Sequence, residues 1–277
     1  MELIRRRCRH RTGHPPILFV HGAYVDARIW DVYFLDFFVN AGFDAWALSL
    51  RGHGKSRYEP VSWSPGLSDY TDDVNRAIEQ IGEPPVLVGH SMGGLVVQQV
   101  SGNSDIPVHS AVLMAAVPPK GMYEPALRLA QAHPALFHKL SLLNASPRWM
   151  WEHWLSAADV RKMFFSETTP LAQVKRFFSF FQSEPPRGLI DLLLFCPPAQ
   201  PGFKGSMLVM GAEADIIIPP DFVQRTAEAF SAELKTLPGM GHAMMLEENW
   251  KDAARCIEDW LKHGTRQRRD NHESRRI

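Results

Sequence analysis

Short apolar runs alternate along the chain with segments whose apolar residues recur at helical spacing. Residues 17–20 form a continuous apolar run, typical of a strand covered on both faces of a parallel sheet, and further strands are predicted at residues 43–50, 85–88, 108–117, 206–210 and 234–237. Helical spacing is clearest in the set Tyr70, Val74, Ala77, Ile78 and Ile81. This order predicts an α/β fold built on a mostly parallel, doubly wound sheet.

The alternation stops between residues 118 and 204, where the chain is helical in character and rich in aromatic side chains. We therefore predict a core formed by residues 1–117 and 205–263, with a helical cap inserted at 118–204. Residues 264–277 are polar and lack periodicity, which predicts a disordered tail. Residues 2–4 predict one edge strand, and the spacing of Trp30, Phe34 and Phe38 predicts one helix after the first buried strand.

Composition narrows the class of partner. The 277 residues carry a formal net charge of zero, which argues against nucleic acid as the main partner. No apolar run is long enough for a transmembrane segment, and no apolar stretch typical of a signal peptide follows the basic N-terminus. Cys8, Cys196 and Cys256 lie far apart without metal-ligand spacing. We expect a cytoplasmic protein without metal or other cofactor; the sequence does not define its oligomeric state.

The residues after the run at 85–88 predict a strand, a tight turn and a helix around Gly89-His90-Ser91-Met92-Gly93. A serine at such a turn has a strained backbone, and its hydroxyl projects above the sheet edge. Gly89 and Gly93 leave room where strand and helix nearly collide. The pattern predicts Ser91 as a nucleophile beside free helix N–H groups, rather than as a simple helix cap.

A serine nucleophile needs a base, and the base needs an anion that fixes its tautomer. Asp215 and His242 each follow a predicted strand, so both should reach the edge of the sheet where Ser91 lies. The order Ser, Asp, His is the one expected for this type of turn. Glu213 competes with Asp215 for the acidic role; we favour Asp215 because apolar residues follow it and would anchor its loop.

Acyl transfer also needs hydrogen-bond donors for the developing oxyanion. The backbone N–H groups of Met92 and Ala23 are the candidates, since Ala23 follows the neighbouring strand. Tyr24 is expected to line the substrate pocket. We expect three aromatic residues of the cap to line it as well, namely Trp151, Trp154 and Phe178.

Together these motifs resemble the α/β-hydrolase superfamily. The matching segments are His21-Gly22, Arg51-Gly52-His53-Gly54-Lys55-Ser56, Gly89-His90-Ser91-Met92-Gly93-Gly94, residues 211–215 and Gly241-His242. The resemblance implies an α/β-hydrolase fold, a triad of Ser91, His242 and Asp215, and oxyanion donors at Ala23 and Met92. The opening region is shorter than is usual in that superfamily.

Three functions are compatible with these residues. The first is a serine hydrolase that cleaves a small-molecule carboxylic ester, with a lipase-like or monoacylglycerol-like preference for apolar acyl groups, because an aromatic cap would form an apolar roof. The second uses the same residues as a thioesterase, amidase, C–C hydrolase, haloperoxidase or hydroxynitrile lyase. The third is a ligand receptor with little turnover. We expect the first, with an acyl-enzyme formed on Ser91.

Overall fold

The structure of the protein is a computed structural model that describes residues 1–9, 13–56, 64–145, 155–194, 203 and 205–273. These residues contain a seven-stranded sheet with the strands β1 (Glu2–Arg6), β2 (Ile17–Val20), β3 (Ala45–Ser49), β4 (Val86–His90), β5 (Ser110–Met114), β6 (Ser206–Ala212) and β7 (Glu233–Leu237). Their order is β1-β3-β2-β4-β5-β6-β7.

Helices cover the sheet, as the alternating pattern predicts. They are α1 (Arg28–Asp31), α2 (Phe34–Asn40), α3 (Leu67–Ile81), α4 (Met92–Ser101), α5 (Tyr123–Ala132), α6 (Pro134–Ala145), α7 (Ala157–Phe164), α8 (Leu171–Phe177), α9 (Pro186–Leu194), α10 (Pro220–Phe230) and α11 (Trp250–Glu273). Short 3₁₀ helices lie at Phe178–Phe180 and Met244–Leu246. Gly82 ends α3 in a left-handed conformation (φ 80°), which glycine adopts without steric cost.

Strand β1 pairs antiparallel with β3, and each remaining neighbouring pair of strands is parallel. Every residue of β2, β3, β4 and β5 is buried, so these strands form the centre of the core. The α/β class and the mostly parallel sheet are therefore confirmed. The predicted edge strand is also present, and it extends from Glu2 to Arg6.

Strands β2 and β4 lie side by side, although β3 comes between them in the sequence. From β2 the chain first adds β3 on the side toward one edge of the sheet and then adds β4 on the opposite side of β2, so the strand order reverses direction at this pair. In open α/β sheets a crevice for ligands forms at the carboxyl ends of such strands. Ala23 follows β2 and Ser91 follows β4, which brings both residues to this crevice.

Two local predictions differ from the structure. The stretch from Trp30 to Phe38 forms the two helices α1 and α2 instead of one, because Tyr33 leaves helical geometry with φ −143°. Helix α11 continues past residue 263 to Glu273, into the stretch for which we predict a tail. Between β5 and β6, the described part of residues 118–204 is helical, and we call residues 118–204 the inserted segment.

Candidate active site

Ser91 lies in the sharp turn between β4 and α4. Its backbone has φ 53° and ψ −119°, a conformation that costs a non-glycine residue about 1–3 kcal/mol and requires support from its surroundings. A Cβ atom on Gly89 or Gly93 would lie less than 3 Å from backbone atoms, those of Gly93 and His21 respectively. Only glycine therefore fits on either side of the turn, and the local sequence explains the position of Ser91.

His242 and Asp215 lie in contact at the same edge of the sheet. His242 Nδ1 is 2.7 Å from Asp215 Oδ2, and both side chains are almost completely buried. A carboxylate only accepts hydrogen bonds, so Nδ1 carries the proton and Nε2 is the nitrogen that can act as a base. The second oxygen of Asp215, Oδ1, accepts the N–H groups of Ile217 and Ile218 at 2.8 and 2.9 Å, which fixes the carboxylate plane.

The two candidate acids are thus distinguished by their contacts. Glu213 is exposed, and its Oε2 accepts the N–H group of Gly239 at 3.0 Å. Asp215, in contrast, reaches His242 directly. The geometry favours Asp215 as the partner of the histidine.

Ser91 and His242 both line one cavity of about 180 Å³ at the carboxyl ends of the strands. Ala23 and Tyr24 line it too, and their loop lies against Ser91: a Cβ atom on Gly22 would be 2.9 Å from Ser91 Cβ. Helix α4 begins at Met92, whose N–H group has no partner within the helix. The loop that contains Ala23 and the start of α4 therefore both lie beside the serine.

His90 supports the loop that carries the catalytic candidate His242. Its Nε2–H donates to the carbonyl oxygen of His242 at 3.0 Å, so Nδ1 is unprotonated. Burial, followed by the charge of His242, lowers the pKa of His90 well below its usual range. His90 is therefore a neutral structural residue rather than a second base.

Glu247 holds the other side of the same loop. Its Oε1 accepts the N–H groups of Gly241 at 2.7 Å and of Ser166 at 2.6 Å, and its Oε2 accepts the hydroxyl groups of Ser166 and Thr169. The carboxylate is completely buried. Because Ser166 and Thr169 belong to the inserted segment, Glu247 joins that segment to the residue next to His242.

Two of the four predicted pocket residues are described by the structure, and one of these two lines the cavity. Tyr24 lines the cavity, as expected. Phe178 does not; it lies beside Leu155 and Lys175 at a separate surface cavity, with its ring 6.3 Å from that of Phe181. The expectation for Phe178 is therefore corrected, because the helical turn after α8 directs its neighbours to the cavity instead. Trp151 and Trp154 lie outside the described residues.

The cavity wall is apolar. Phenylalanines of the inserted segment form part of it, although their spacing in the sequence does not single them out. They are Phe137, Phe164, Phe165, Phe177, Phe180 and Phe181. No Asp, Glu, Lys or Arg lies among the described residues that line it. In the described ranges we find neither a group of three or more metal-ligating side chains nor a helix suited to crossing a membrane.

A model of the alpha/beta hydrolase family matches residues 17–255. The chain therefore belongs to this family, which confirms the resemblance inferred from its motifs. The family description and the esterase/perhydrolase described next both indicate a hydrolase.

Individual relatives and structures are similar to the chain to different extents. The bifunctional esterase/perhydrolase DCH of Acinetobacter calcoaceticus is 40% identical over 107 residues, which span 38% of this chain and 38% of that protein. The esterase EaEST of Exiguobacterium antarcticum superposes with a TM-score of 0.72 at 16% identity, covering 94% of each chain. A bromoperoxidase of Bacillus anthracis has a TM-score of 0.65 at 18% identity, covering 92% of this chain and 91% of that one. At such identities the two structures show the shared fold alone.

Proposed function

We propose that the protein cleaves carboxylic esters with small apolar acyl groups through an acyl-enzyme on Ser91. The observation that carries this proposal is the pairing of His242 with Asp215, together with the place of His242 and Ser91 in the lining of one apolar cavity. The catalytic residues are Ser91, His242 and Asp215, and the oxyanion donors are the N–H groups of Ala23 and Met92. No step requires a metal or another cofactor.

The first half of the reaction acylates the enzyme. His242 Nε2 takes the hydroxyl proton while Ser91 Oγ bonds to the carbonyl carbon, and the resulting oxyanion accepts the two backbone N–H groups. The intermediate collapses by breaking the bond to the alcohol oxygen, which takes the proton from Nε2. Asp215 stays ionised and stabilises the imidazolium form of His242 in this buried site.

Water completes the cycle. It gives a proton to His242 Nε2 as its oxygen bonds to the acyl carbon, and a second tetrahedral intermediate forms at the same oxyanion site. Collapse releases the carboxylic acid and returns the proton to Ser91 Oγ.

The cavity supports the choice of acyl group. Its volume of about 180 Å³ is slightly larger than the roughly 150 Å³ apolar cavity that accommodates benzene in another protein. We infer that the inserted segment acts as a cap, since Phe137, Phe164 and Phe181 contribute to this wall. A charged acyl group would lose hydration there without gaining a charged partner among the described residues of the wall. We also propose a cytoplasmic location, because the three cysteines are few and lie far apart in the sequence.

A panel of p-nitrophenyl esters and matched thioesters tests the proposal. We expect the highest kcat/KM for short to medium apolar acyl groups, a strong preference for the oxygen ester, and no turnover by Ser91→Ala. Absence of hydrolysis across the panel would refute the ester-hydrolase function. A consistent preference for thioesters would support the alternative use of the same residues.

One relative motivates a second candidate activity. The esterase/perhydrolase DCH is 40% identical over the matched stretch, and hydrogen peroxide can replace water as the acceptor of an acyl group. Attack by peroxide on the acyl-enzyme would break the ester bond to Ser91 Oγ and release a peracid. Hydrolysis in the presence of peroxide, with the peracid measured separately, gives the partition ratio; a ratio of zero would reject this activity.

A further inference from the structure

The carboxylate of Glu184 in the inserted segment contacts the loop that follows β2. Oε2 accepts the backbone N–H group of Tyr24 at 2.9 Å and faces His53 Nε2 at 2.9 Å, while Oε1 accepts the Tyr70 hydroxyl group at 3.0 Å. The side chains of Glu184 and His53 are both completely buried. Three parts of the core thus converge on one carboxylate from the segment that covers the cavity.

Hydrogen bonding indicates that Glu184 and His53 form an ion pair. The other ring nitrogen of His53, Nδ1, lies 3.1 Å from the carbonyl oxygen of Arg51, so both nitrogens face acceptors. Burial opposes the charge on His53, but the charge of Glu184 and its hydrogen bond outweigh burial and raise the pKa of His53. Burial likewise opposes the charge on Glu184, yet His53 lowers the pKa of the carboxyl group.

His21 beside this pair stays neutral. Burial and the charge of His53 lower the pKa of His21 to about 4, and the rings of the two histidines are 4.9 Å apart. Its Nε2 accepts the N–H group of Leu50 at 3.0 Å, which leaves Nδ1 to donate to the carbonyl oxygen of Gly22 at 2.8 Å. The His53 cation is therefore paired with the carboxylate of Glu184, and His21 adds no second positive charge beside it.

The residue that Glu184 holds has an unusual backbone. Tyr24 has φ 66°, the left-handed region that favours glycine, so its conformation depends on external support. Its N–H group donates to Glu184, and its carbonyl oxygen accepts the N–H group of Gln182 at 2.8 Å. Both backbone polar groups of Tyr24 are thus bound by residues 182–184. Ala23, the proposed oxyanion donor, immediately precedes it.

We propose that Glu184 is a positioning residue that acts through the backbone of Tyr24 to hold the N–H group of Ala23 in place for the oxyanion. The inference rests on the proposed function and adds a second role for the inserted segment, which would complete the active site as well as cover it. Removal of Glu184 should therefore impair the chemical step more than substrate binding.

Three variants test this role. Glu184→Gln keeps the shape and one acceptor but removes the charge that pairs with His53, whereas Glu184→Met removes both acceptors. Asp191→Asn is the matched control for the glutamine variant, because Asp191 is also a carboxylate of the inserted segment that accepts a core N–H group, that of Leu67 at 3.0 Å. That contact involves neither Tyr24 nor Ala23.

We expect kcat for a p-nitrophenyl ester to fall about 10²–10³-fold in Glu184→Met, the range found on losing one oxyanion donor, with KM within about threefold of wild type. Glu184→Gln, which keeps an acceptor for the Tyr24 N–H group but loses the charge, should show an intermediate kcat about tenfold below wild type, whereas Asp191→Asn should stay within about twofold of wild type. A boronic acid that forms a tetrahedral adduct on Ser91 should lose affinity in parallel with kcat.

The outcomes separate this role from its alternatives. Equal kcat in Glu184→Gln and Asp191→Asn, in proteins that melt cooperatively, would overturn the positioning role. A rise in KM with kcat unchanged would overturn it as well, since it would show a contribution to binding alone. If Glu184→Met does not fold, the Gln and Asn pair decides the question. If wild type hydrolyses no ester and does not react with the boronic acid, the proposed function fails instead.

Discussion

Replacing Asp215 with asparagine separates the shape of the acid from its charge. Oδ1 accepts two backbone N–H groups, from Ile217 and Ile218, so the asparagine oxygen must occupy that position to avoid two donor–donor contacts. Its NH₂ group then replaces Oδ2, 2.7 Å from His242 Nδ1, and donates to that nitrogen. His242 is thereby held with its proton on Nε2, the tautomer that cannot accept a proton from Ser91.

The expected loss is large because the base is disabled while the structure is retained. The corresponding change of tautomer in a serine protease lowers kcat about 10⁴-fold, which corresponds to about 5 kcal/mol of transition-state stabilisation. We expect a loss of this size for Asp215→Asn, with KM and the melting temperature little changed, since the contacts to Ile217 and Ile218 persist.

Steady-state hydrolysis of a p-nitrophenyl ester measures the effect, and Glu213→Gln is the control. Glu213 is the other acid of the same loop, but it contacts Gly239 rather than His242. The kcat of Glu213→Gln should therefore stay within about twofold of wild type. Retention of more than a tenth of kcat by Asp215→Asn would refute the tautomer argument. An equal loss in Glu213→Gln would show that the wrong carboxylate has been assigned.

Three further predictions concern the support of the site. Gly93→Ala would place a Cβ against the backbone oxygens of Val20 and His21. The free energy of unfolding in urea should therefore fall by about 1–3 kcal/mol, and ester hydrolysis should become slower. An unchanged unfolding midpoint would contradict the close approach. Glu247→Gln weakens the buried acceptor of the Gly241 N–H group, so we expect the free energy of unfolding to fall by about 1–3 kcal/mol and kcat to fall with it. If neither changes, Glu247 does not hold this loop. Burial and the charge of a neighbouring histidine lower the pKa of His21 from 6.5 to about 4. Between these pH values His21 is protonated in the unfolded chain but neutral in the folded protein, so the free energy of unfolding falls as the pH is lowered. His21→Gln should reduce the loss between pH 7 and pH 4 by about 3 kcal/mol, and an identical pH dependence in the two proteins would contradict this.

The sequence predicts those features that depend on short, local patterns. The turn around Ser91 is encoded by Gly89 and Gly93, whose side-chain hydrogens are the only groups that fit there. Asp215 and His242 each lie in the loop that follows a strand, and parallel strands bring their carboxyl ends to one edge. The alternation of apolar runs and helical segments therefore predicts the sheet and the place where the three residues meet.

Features that depend on tertiary packing are not predictable in this way. An aromatic-rich segment has many side chains able to line a pocket, and spacing does not show that Phe180 and Phe181 line it while Phe178 lies elsewhere. Glu184 carries no local signal, because its partners are distant in sequence: Tyr24 lies 160 residues away and His53 lies 131 residues away. A buried carboxylate next to two prolines is recognisable only once the fold brings its partners together.

Labelling with a fluorophosphonate tests the central claim most directly, because this reagent bonds to a serine only when a neighbouring base and an oxyanion site activate it. We predict that wild type gains one label, that peptide mapping places it on Ser91, and that Ser91→Ala and His242→Ala gain none under the same conditions. Wild type that remains unlabelled, or Ser91→Ala that is labelled as fast as wild type, would contradict the account.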